Sequence, residues 1–443
     1  MMLVYVPEIT NRLGYTLSVV FRYLLHTDYE ITTDRECYLR YAGPRLHYAP
    51  VPIDDSCYVQ SVRLLFETVL EEQELHCFQS GDTPAIYPVY NEHNLLDFDV
   101  FAAVFYMVSR YEEYLPHHDD EHGRFLTSES LAYRMGFLHK AVVDRWALML
   151  RDALLRVYPS LHFGSRVYEF EQTVDIDAAW CYRYKGLFRT VTGFLRDALY
   201  RRDIEEAKRR IRVIRDREQD PFDTFDFIIE QSRLNRNRHL IFFVLIGDYS
   251  LHDKPANYHS EPFRELLKHL ADHAKLGLHP TYSTLEEPGR VDIESRRLSG
   301  VVHREVKRSR FHFLRMQLPY SYTNLVRCNI LNDYSMGFAD TSGFRAGTCT
   351  PYPFYDLTHD CETLLMVHPF CTMDTTMNIH QKLTPQQAWD EYKILIDEVR
   401  SVGGTFCAIW HNQNLCDLYG WKGWRELYQK VLAYAADSPH PAR

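Results

Sequence analysis

The chain has 443 residues, which is enough for roughly two or three domains. Its hydrophobic content of 46% and charged content of 25% are those of an ordinary globular protein. The formal net charge of −10 argues against a general binder of nucleic acid or of anionic membranes, because both functions need a basic surface.

The N-terminal sequence and the cysteines bear on location. Residues 1–8 lack the basic start and the long apolar stretch of a signal peptide. The longest apolar runs, such as residues 240–246, are too short to cross a bilayer. The ten cysteines are scattered without a CxxC pair, which favours reduced thiols over a disulfide framework. We therefore expect a cytoplasmic protein without a membrane span.

Residues 1–165 are predicted to form a smaller α/β accessory domain. In chain order, the expected elements are a strand over residues 3–6, a helix from Asn11 to Leu25, a hairpin of residues 36–41 and 45–49 about Gly43 and Pro44, and helices over residues 99–114 and 130–157. The helices are inferred from apolar residues at helical spacing, and the hairpin from β-rich runs on both sides of a Gly-Pro pair.

An acidic, histidine-rich loop at residues 115–122 follows the first of the two long helices. Its His, Asp and Glu side chains are metal-binding types, but a metal site normally needs spaced ligands on a rigid frame. A solvated loop is therefore the preferred interpretation of this segment.

Residues 166–443 change to alternating strands and helices. The expected strands cover residues 170–174, 240–246, 275–278, 366–367 and 406–410, and the expected helices cover residues 261–273, 292–298 and 385–402. Repeated strand–helix units imply a parallel sheet covered by helices, either open or closed as a barrel. Residues 190–238 interrupt this order after the first strand, and we expect them to form a helical insertion over the barrel mouth.

Two carboxylates end the first of these strands. Asp175 and Asp177 are two residues apart, so on a strand both side chains point to the same face. Like charges at this distance repel unless a cation or a proton separates them. A metal or acid–base site is one interpretation, and a pair of helix-capping aspartates is the other.

Other polar residues fall near the predicted strand ends or in the segments between them. These residues are His279, His312, Arg315, Tyr320, Asp333, Arg345, His368, Asp374 and His411. In α/β sheets and barrels, reactive side chains collect at the carboxyl ends of the strands. A solvated loop or a buried structural histidine explains any one of these residues, but it explains the whole set poorly.

The motifs and their order resemble the polysaccharide deacetylases of carbohydrate esterase family 4. The motifs are Asp175-Ile176-Asp177, Gly277-Leu278-His279-Pro280, Arg315 followed by Pro319-Tyr320, and Trp410-His411. The resemblance covers residues 169–428, and residues 109–114 are typical of a bacterial branch with an extra N-terminal domain. It implies a distorted (β/α) barrel that binds one divalent metal and hydrolyses an acetyl group from a sugar.

The resemblance also implies which residues hold the metal. Asp177 and His279 match the family's aspartate and first histidine. The second family histidine is expected four residues after His279, where this chain has Ser283. His312 is our candidate for the third ligand, with a structural histidine as the alternative. The implied ion is zinc, or alternatively cobalt, nickel or manganese.

The remaining motif residues are implied to act on the substrate. By position, Asp175 is the general base, although the roles of Asp175 and Asp177 could be reversed. His411 is the acid that protonates the leaving group, and Arg315 orients the base by a bidentate pair. The backbone N–H of Tyr320 is expected at the oxyanion. Two weaker candidates for substrate contact, for which a salt bridge at the rim is the alternative, are Asp333 and Arg345.

The sequence therefore favours a metal-dependent carbohydrate deacetylase that acts on an amide or ester bond of an acetylated sugar or glycan precursor. A second hypothesis is a non-catalytic carbohydrate-binding or assembly protein on a deacetylase scaffold, supported mainly by Ser283. A third hypothesis keeps the barrel and the metal but assigns hydrolysis of a C–N bond in a small amide. The expected partner is a carbohydrate rather than a nucleic acid, and the oligomeric state stays open.

Overall fold

The computed structural model of the protein describes residues 1–200, 202–237 and 239–437, and these residues form two compact units. The first unit consists of Met1–Glu169, Met316–Thr372 and Ile394–Cys407. The second consists of the described residues of Phe170–Arg315, Met373–Lys393 and Ala408–Arg443. The division into domains at residues 1–165 and 166–443 stays a prediction.

Strands and helices alternate through most of the chain. The strands are β1 (Met2–Tyr5), β2 (Tyr29–Thr32), β3 (Arg45–Ala49), β4 (Cys57–Gln60), β5 (Phe78–Ser80), β6 (Thr83–Ala85), β7 (Glu169–Ile176), β8 (Leu240–Val244), β9 (Lys275–Leu278), β10 (Arg308–Ser309), β11 (Asn332–Asp333), β12 (Tyr352–Asp356), β13 (Cys361–Val367), β14 (Thr372–Met373) and β15 (Thr405–His411). The α-helices are α1 (Asn11–Ser18), α2 (Arg35–Arg40), α3 (Val100–Val108), α4 (Leu131–Arg134), α5 (Val142–Val157), α6 (Gly186–Leu195), α7 (Ile204–Ile214), α8 (Phe225–Leu234), α9 (Glu261–His273), α10 (Gly289–Val302), α11 (Tyr320–Arg327), α12 (Pro385–Ser401) and α13 (Trp424–Ala436). Within the described ranges, no helix combines the length and apolar character needed to cross a membrane.

The first unit contains a parallel sheet with the strand order β2-β1-β3-β4. The hairpin predicted for residues 36–41 and 45–49 is wrong. The first of these runs lies in α2, because the side chain of Asp34 accepts hydrogen bonds from the backbone N–H groups of Glu36 and Cys37 and so caps a helix. The second run is β3, which pairs in parallel with β1 and β4.

The long helices predicted in the first unit are each interrupted. The helix expected from Asn11 to Leu25 is α1 followed by a π-helical turn over Val19–Leu24. The next helix, α3, ends before Arg110, which adopts a left-handed backbone with φ 55°. The last is divided into α4 and α5 by a turn at Gly136, whose φ of 70° ends a right-handed helix.

The second unit is built on parallel strands in the order β10-β9-β8-β7. The residues of β15 that belong to this unit run beside β7, where the Thr173 hydroxyl donates to the carbonyl of Ala408 at 2.7 Å. All five residues of β8 are buried, as expected for a central strand covered on both faces. The mixed α/β class is confirmed, whereas the strand pairs in the described part of this unit form an open row, so the closed barrel stays a prediction.

The interruption predicted over residues 190–238 is helical, since it contains most of α6 and all of α7 and α8. Residues 201 and 238 of this segment lie outside the described residues. Its placement over a barrel mouth stays a prediction.

The loop after β8 packs closely against a buried carboxyl group. A side chain at Gly247 would overlap with Thr281 and Glu294, so only glycine fits there. Glu294, on α10, is 1% exposed, and its carboxyl accepts hydrogen bonds from the backbone N–H and the hydroxyl of Thr281, at 3.1 and 2.5 Å. Burial is the main influence on this group and raises the pKa of Glu294 to about 7.

This raised pKa predicts that stability falls as the pH rises. Because the folded state keeps the Glu294 proton to higher pH than the unfolded state, the unfolding free energy decreases from about pH 4.5 to above pH 7. The substitution Glu294→Gln keeps an acceptor for the N–H of Thr281 and supplies a donor to its hydroxyl. We expect it to raise the unfolding free energy at pH 8, by on the order of 3 kcal/mol at most, and to change it little at pH 4.5.

Urea unfolding of both proteins at the two pH values measures the difference. Equal stabilisation at both pH values would contradict the assignment of a buried carboxyl that titrates near neutrality.

Candidate metal centre

Three potential metal ligands lie beyond the carboxyl ends of neighbouring strands in the second unit. Asp177 directly follows β7, His279 directly follows β9, and His312 comes shortly after β10. Because these strands are parallel, their carboxyl ends meet at one edge of the sheet. The sheet therefore gathers side chains that are far apart in the sequence.

The ligand atoms of the three residues face one another. The Oδ1 atom of Asp177 lies 3.3 Å from Nε2 of His279 and 3.7 Å from Nε2 of His312. The two imidazole rings are 5.0 Å apart between centroids. One ligand atom from each residue lies within 4.8 Å of the other two, which is compact enough for one ion to contact all three.

The polar surroundings of these atoms fit a divalent cation. Oδ1 of Asp177 is buried and accepts no hydrogen bond from a described residue, which is a costly state for a carboxylate without a cation. The outer nitrogen of each imidazole is already held: Nδ1 of His279 bonds the carbonyl of Arg310, and Nδ1 of His312 bonds Asp253 at 2.8 Å. These contacts turn both Nε2 atoms toward Asp177, as outer partners do for metal-binding histidines.

The pKa shifts reflect the same electrostatic attraction. Burial raises the pKa of Asp177, but the nearby imidazoles of His411 and His312 outweigh burial and hold the pKa well below its usual range. Burial lowers the pKa of His279, but Asp175 and Asp177 more than offset this and raise it. The cluster thus favours a carboxylate with a positive charge beside it, and a divalent ion can take the place of the imidazole protons.

Asp175 has different surroundings from Asp177. It is 2% exposed, and its Oδ1 accepts a hydrogen bond from Nη1 of Arg310 at 2.7 Å. Arg310 is fully buried, donates also to the hydroxyl of Thr173, and has its guanidinium carbon 4.4 Å from the ring centroid of Phe243. The other carboxylate oxygen of Asp175 lies 3.8 Å from Nε2 of His279.

The arginine that pairs with Asp175 is therefore Arg310 and not the predicted Arg315. The guanidinium of Arg315 donates to the carboxylate of Glu286 in a bidentate pair and to the carbonyl of Tyr282. The sequence motif pointed to the wrong arginine, because the residue directly after β10 is closer to the end of β7 than one beyond the next turn.

His411 lies near the other carboxylate oxygen of Asp177, Oδ2. Its Nδ1 atom bonds Oδ1 of Asp374 at 2.7 Å, and its backbone N–H donates to the other oxygen of the same carboxylate at 2.9 Å. Asn414 donates to Asp374 as well, at 3.0 Å. The free side of the ring, Nε2, lies 3.8 Å from Oδ2 of Asp177.

Tyr320, Asp333 and Arg345 belong to the first unit. Arg345 is 3% exposed and forms a bidentate pair with the buried carboxylate of Glu113, while Asp333 accepts hydrogen bonds from the backbone N–H and the hydroxyl of Ser335. The ion pair of Arg345 fits the salt-bridge alternative, and contact of Arg345 or Asp333 with substrate stays a prediction. Tyr320 is exposed at the start of α11, and its role at the oxyanion stays a prediction.

Ser283 lies in the 3₁₀ turn Tyr282–Thr284 and is not part of the cluster. The second imidazole of the cluster belongs to His312, in the turn after β10. Among the described residues, the histidine-rich loop at residues 115–122 forms no comparable cluster, and its interpretation as a solvated loop stays a prediction.

Sequence reasoning missed two groups that support the ligands, Arg310 and Asp253. Arg310 is two residues before His312, so the alternation of an extended segment could have placed both on one face. Asp253 lies in a loop after β8 without any motif, and no sequence signal distinguishes it from a surface aspartate. Asp374 is among the polar residues expected near the strand ends, but no sequence signal pairs it with His411.

Comparison with known families gives one partial match. Residues 2–159 match the model of a family of unknown function, DUF7033. No curated protein matches the chain.

Solved structures offer distant similarities to the chain. A proposed polysaccharide deacetylase from Mycobacterium smegmatis is 14% identical, with a TM-score of 0.39, and the alignment covers 62% of this chain and 85% of that one. A proposed polysaccharide deacetylase involved in O-antigen biosynthesis, from Bordetella bronchiseptica, is 10% identical, with a TM-score of 0.31 and coverages of 61% and 84%. Both TM-scores are below 0.5, so these similarities do not by themselves establish a shared fold or function.

The cluster predicts zinc binding that depends on His312 and on the carboxylate behind it. We expect His312→Gln to weaken zinc binding strongly, and Asp253→Asn to weaken it about 10- to 100-fold by releasing the imidazole. Competition with a chromophoric chelator measures both affinities.

The matched control is His269→Gln, which changes a half-exposed histidine that pairs with Asp226 on the surface of the same unit. Zinc affinity that is the same in all four proteins would show that the cluster does not bind the ion.

Proposed function

We propose that the protein is a metal-dependent hydrolase that removes an acetyl group from an N- or O-acetylated sugar or glycan precursor. One observation carries the proposal: two groups suited to proton transfer, Asp175 and His411, lie close to the candidate ligands. An oxygen of Asp175 is 3.8 Å from Nε2 of His279, and Nε2 of His411 is 3.8 Å from Oδ2 of Asp177.

A divalent ion held by Asp177, His279 and His312 would supply a Lewis acid and lower the pKa of water. The general base would be a residue of the chain itself, Asp175. Arg310 occupies one oxygen of Asp175 and fixes the carboxylate, while the other oxygen faces His279. Asp175 is thus placed to accept a proton from a water that attacks the acetyl carbon.

His411 is suited to the opposite proton transfer. Burial lowers its pKa, but the carboxylates of Asp374 and Asp177 outweigh burial and raise the pKa of His411 to about 10. Both carboxylates favour the protonated imidazole, with Nδ1 held by Asp374 and Nε2 directed toward Asp177. From this position it can protonate the leaving amine or alkoxide.

The acetylated sugar is assigned from the motif order rather than from the geometry of the cluster. The spacing of Asp175, Asp177, His279 and His411 resembles that of carbohydrate deacetylases, and the chemistry above serves an amide or an ester equally. The alternative of a non-catalytic carbohydrate-binding protein rested on Ser283. That argument weakens because His312 is available as the third ligand.

Acetate release from acetylated sugars, with zinc, cobalt, nickel or manganese added in turn, tests the activity. Release that depends on one of these ions supports the proposal. Hydrolysis of small amides but of no acetylated sugar would favour the small-amide alternative, and no release from any substrate with any ion would contradict an enzymatic function.

The proton-transfer roles predict specific losses of activity. We expect His411→Gln and Asp175→Asn each to lower kcat about 10²- to 10⁴-fold, because each removes one proton-transfer group. Neither substitution removes a metal ligand, so zinc content should be close to that of the wild type.

Initial rates and elemental analysis of the same preparations check this prediction, with His269→Gln as the control. Full activity of His411→Gln would show that the leaving group is protonated by another residue.

A further inference from the structure

A cavity of about 890 Å³ lies in the second unit, and its wall begins with the residues that directly follow Asp177. Its wall includes Ala178 and Ala179, which directly follow Asp177, and Gly247 and Asp248 from the loop after β8. Because β8 pairs with β7, these two loops lie at the same sheet edge as the ligand cluster. The volume lies toward the upper end of the range for small-molecule sites and exceeds the size of one sugar ring.

The charge of the cavity wall is opposite to that of the whole chain. The chain has 50 basic and 60 acidic residues, with a net charge of −10. The cationic residues that line the cavity are Arg183, Lys185, Arg189, Lys254 and Arg297, and the acidic lining residue is Asp248. Such a concentration of one sign in a concave site raises the local concentration of ligands of the opposite sign.

The acidic residue in the cavity wall is already paired with arginine side chains. Asp248 accepts a hydrogen bond from Arg297 at 2.9 Å, and a second arginine, Arg290, lies 3.3 Å away. Lys185 and Lys254 are exposed and form no ion pair with a described residue. Two ammonium groups thus remain available to an anion in the cavity.

Aromatic rings complete the wall. The aromatic lining residues are Trp180, Tyr184, Tyr249 and Tyr258. Tyr184 and Tyr249 are each 53% exposed, so part of each ring can contact a sugar or a nucleobase. Cations and rings together suit a ligand with both a negative charge and flat or ring-shaped parts.

We infer that this cavity binds a phosphate group attached to the acetylated sugar, so that the substrate is a sugar phosphate or diphosphate rather than a free sugar. The inference rests on the proposed function for its acetyl group, whereas the phosphate assignment rests on the cavity alone. Phosphate is preferred to a single carboxylate because several cations line the cavity and a diphosphate can engage more than one of them.

Two kinds of molecule carry this group, nucleotide-linked sugars and lipid-linked sugars. The aromatic wall suits the nucleobase of a nucleotide-linked sugar. At the cavity edge, Leu187 is 82% exposed, and Val191 and Leu195 follow it at helical spacing on α6 with 48% and 46% exposure, which suits an acyl or prenyl chain. Both kinds of molecule carry a phosphate or diphosphate group, and the kinetic assay below distinguishes between them.

The binding test uses pyrophosphate as the probe and the double variant Lys185→Gln/Lys254→Gln. The full chain is first dialysed against a chelator, so that pyrophosphate cannot bind through a metal ion. Calorimetry should detect binding to the wild type and a loss of affinity of about tenfold or more in the variant, because two cations near the anion are removed.

The matched control is Lys268→Gln/Lys422→Gln, which removes two exposed lysines of the same unit that do not line the cavity. It should bind pyrophosphate as the wild type does. No binding to the wild type, equal binding to both double variants, or binding of glucuronate in preference to pyrophosphate would each overturn the inference.

Kinetics then separate the two sources of phosphate. Acetate release is compared for free N-acetylglucosamine, for the same sugar on uridine diphosphate, and for the same sugar on a prenyl diphosphate in detergent micelles. At least one diphosphate-linked substrate should have a KM about tenfold or more below that of the free sugar. The Lys185/Lys254 variant should raise that KM with kcat little changed.

Equal KM values for free and phosphate-linked sugars would overturn the inference while leaving the deacetylase proposal intact. Pyrophosphate binding that depends on Lys185 and Lys254, without acetate release from any substrate, would contradict the proposed activity and support the phosphate site.

Discussion

The buried Oδ1 atom of the half-buried Asp177 carboxylate is the constraint on which the rest of the candidate site depends. An ionised carboxylate away from water is costly unless positive charge or hydrogen bonds compensate it. Here Oδ1 accepts no hydrogen bond from a described residue, and nitrogen atoms of His279 and His312 face it. The surrounding groups hold these rings in place, since Asp253 and the carbonyl of Arg310 bind their outer nitrogens.

The same sheet edge gives two nearby aspartates different chemistry. Asp175 and Asp177 end one strand and are separated by one residue, yet a buried arginine pairs with the first and imidazoles surround the second. One carboxylate is thereby held in place by a guanidinium, and the other is a candidate ligand. Environment rather than residue type separates the two roles.

The sequence alone predicts the site residues that lie just beyond the ends of strands. Asp177, His279 and His312 follow three strands of one parallel sheet, and the rule that side chains gather at the carboxyl ends brought them together correctly. Arg345 and Asp333 belong to the other compact unit, a division that their positions in the chain do not reveal.

Local patterns misled where a nearby side chain decided the structure. The β-rich run at residues 36–41 became a helix because Asp34 caps it. Arg315 carried the expected motif, but Glu286 is its ion-pair partner, and Arg310, which has no motif of its own, occupies the place beside Asp175. Pairings between residues so distant in the chain depend on strand order and loop length, which local sequence does not specify.

The distribution of the three candidate ligands over separate strands has a consequence for folding. A pair of ligands within one loop could hold an ion in a partly folded chain, whereas Asp177, His279 and His312 meet only after three separate strands have assembled. Ion binding to such a site is linked to formation of the whole sheet, and each ion bound stabilises the folded state by mass action. The supply of metal during synthesis would then influence how much folded protein accumulates, independently of any turnover.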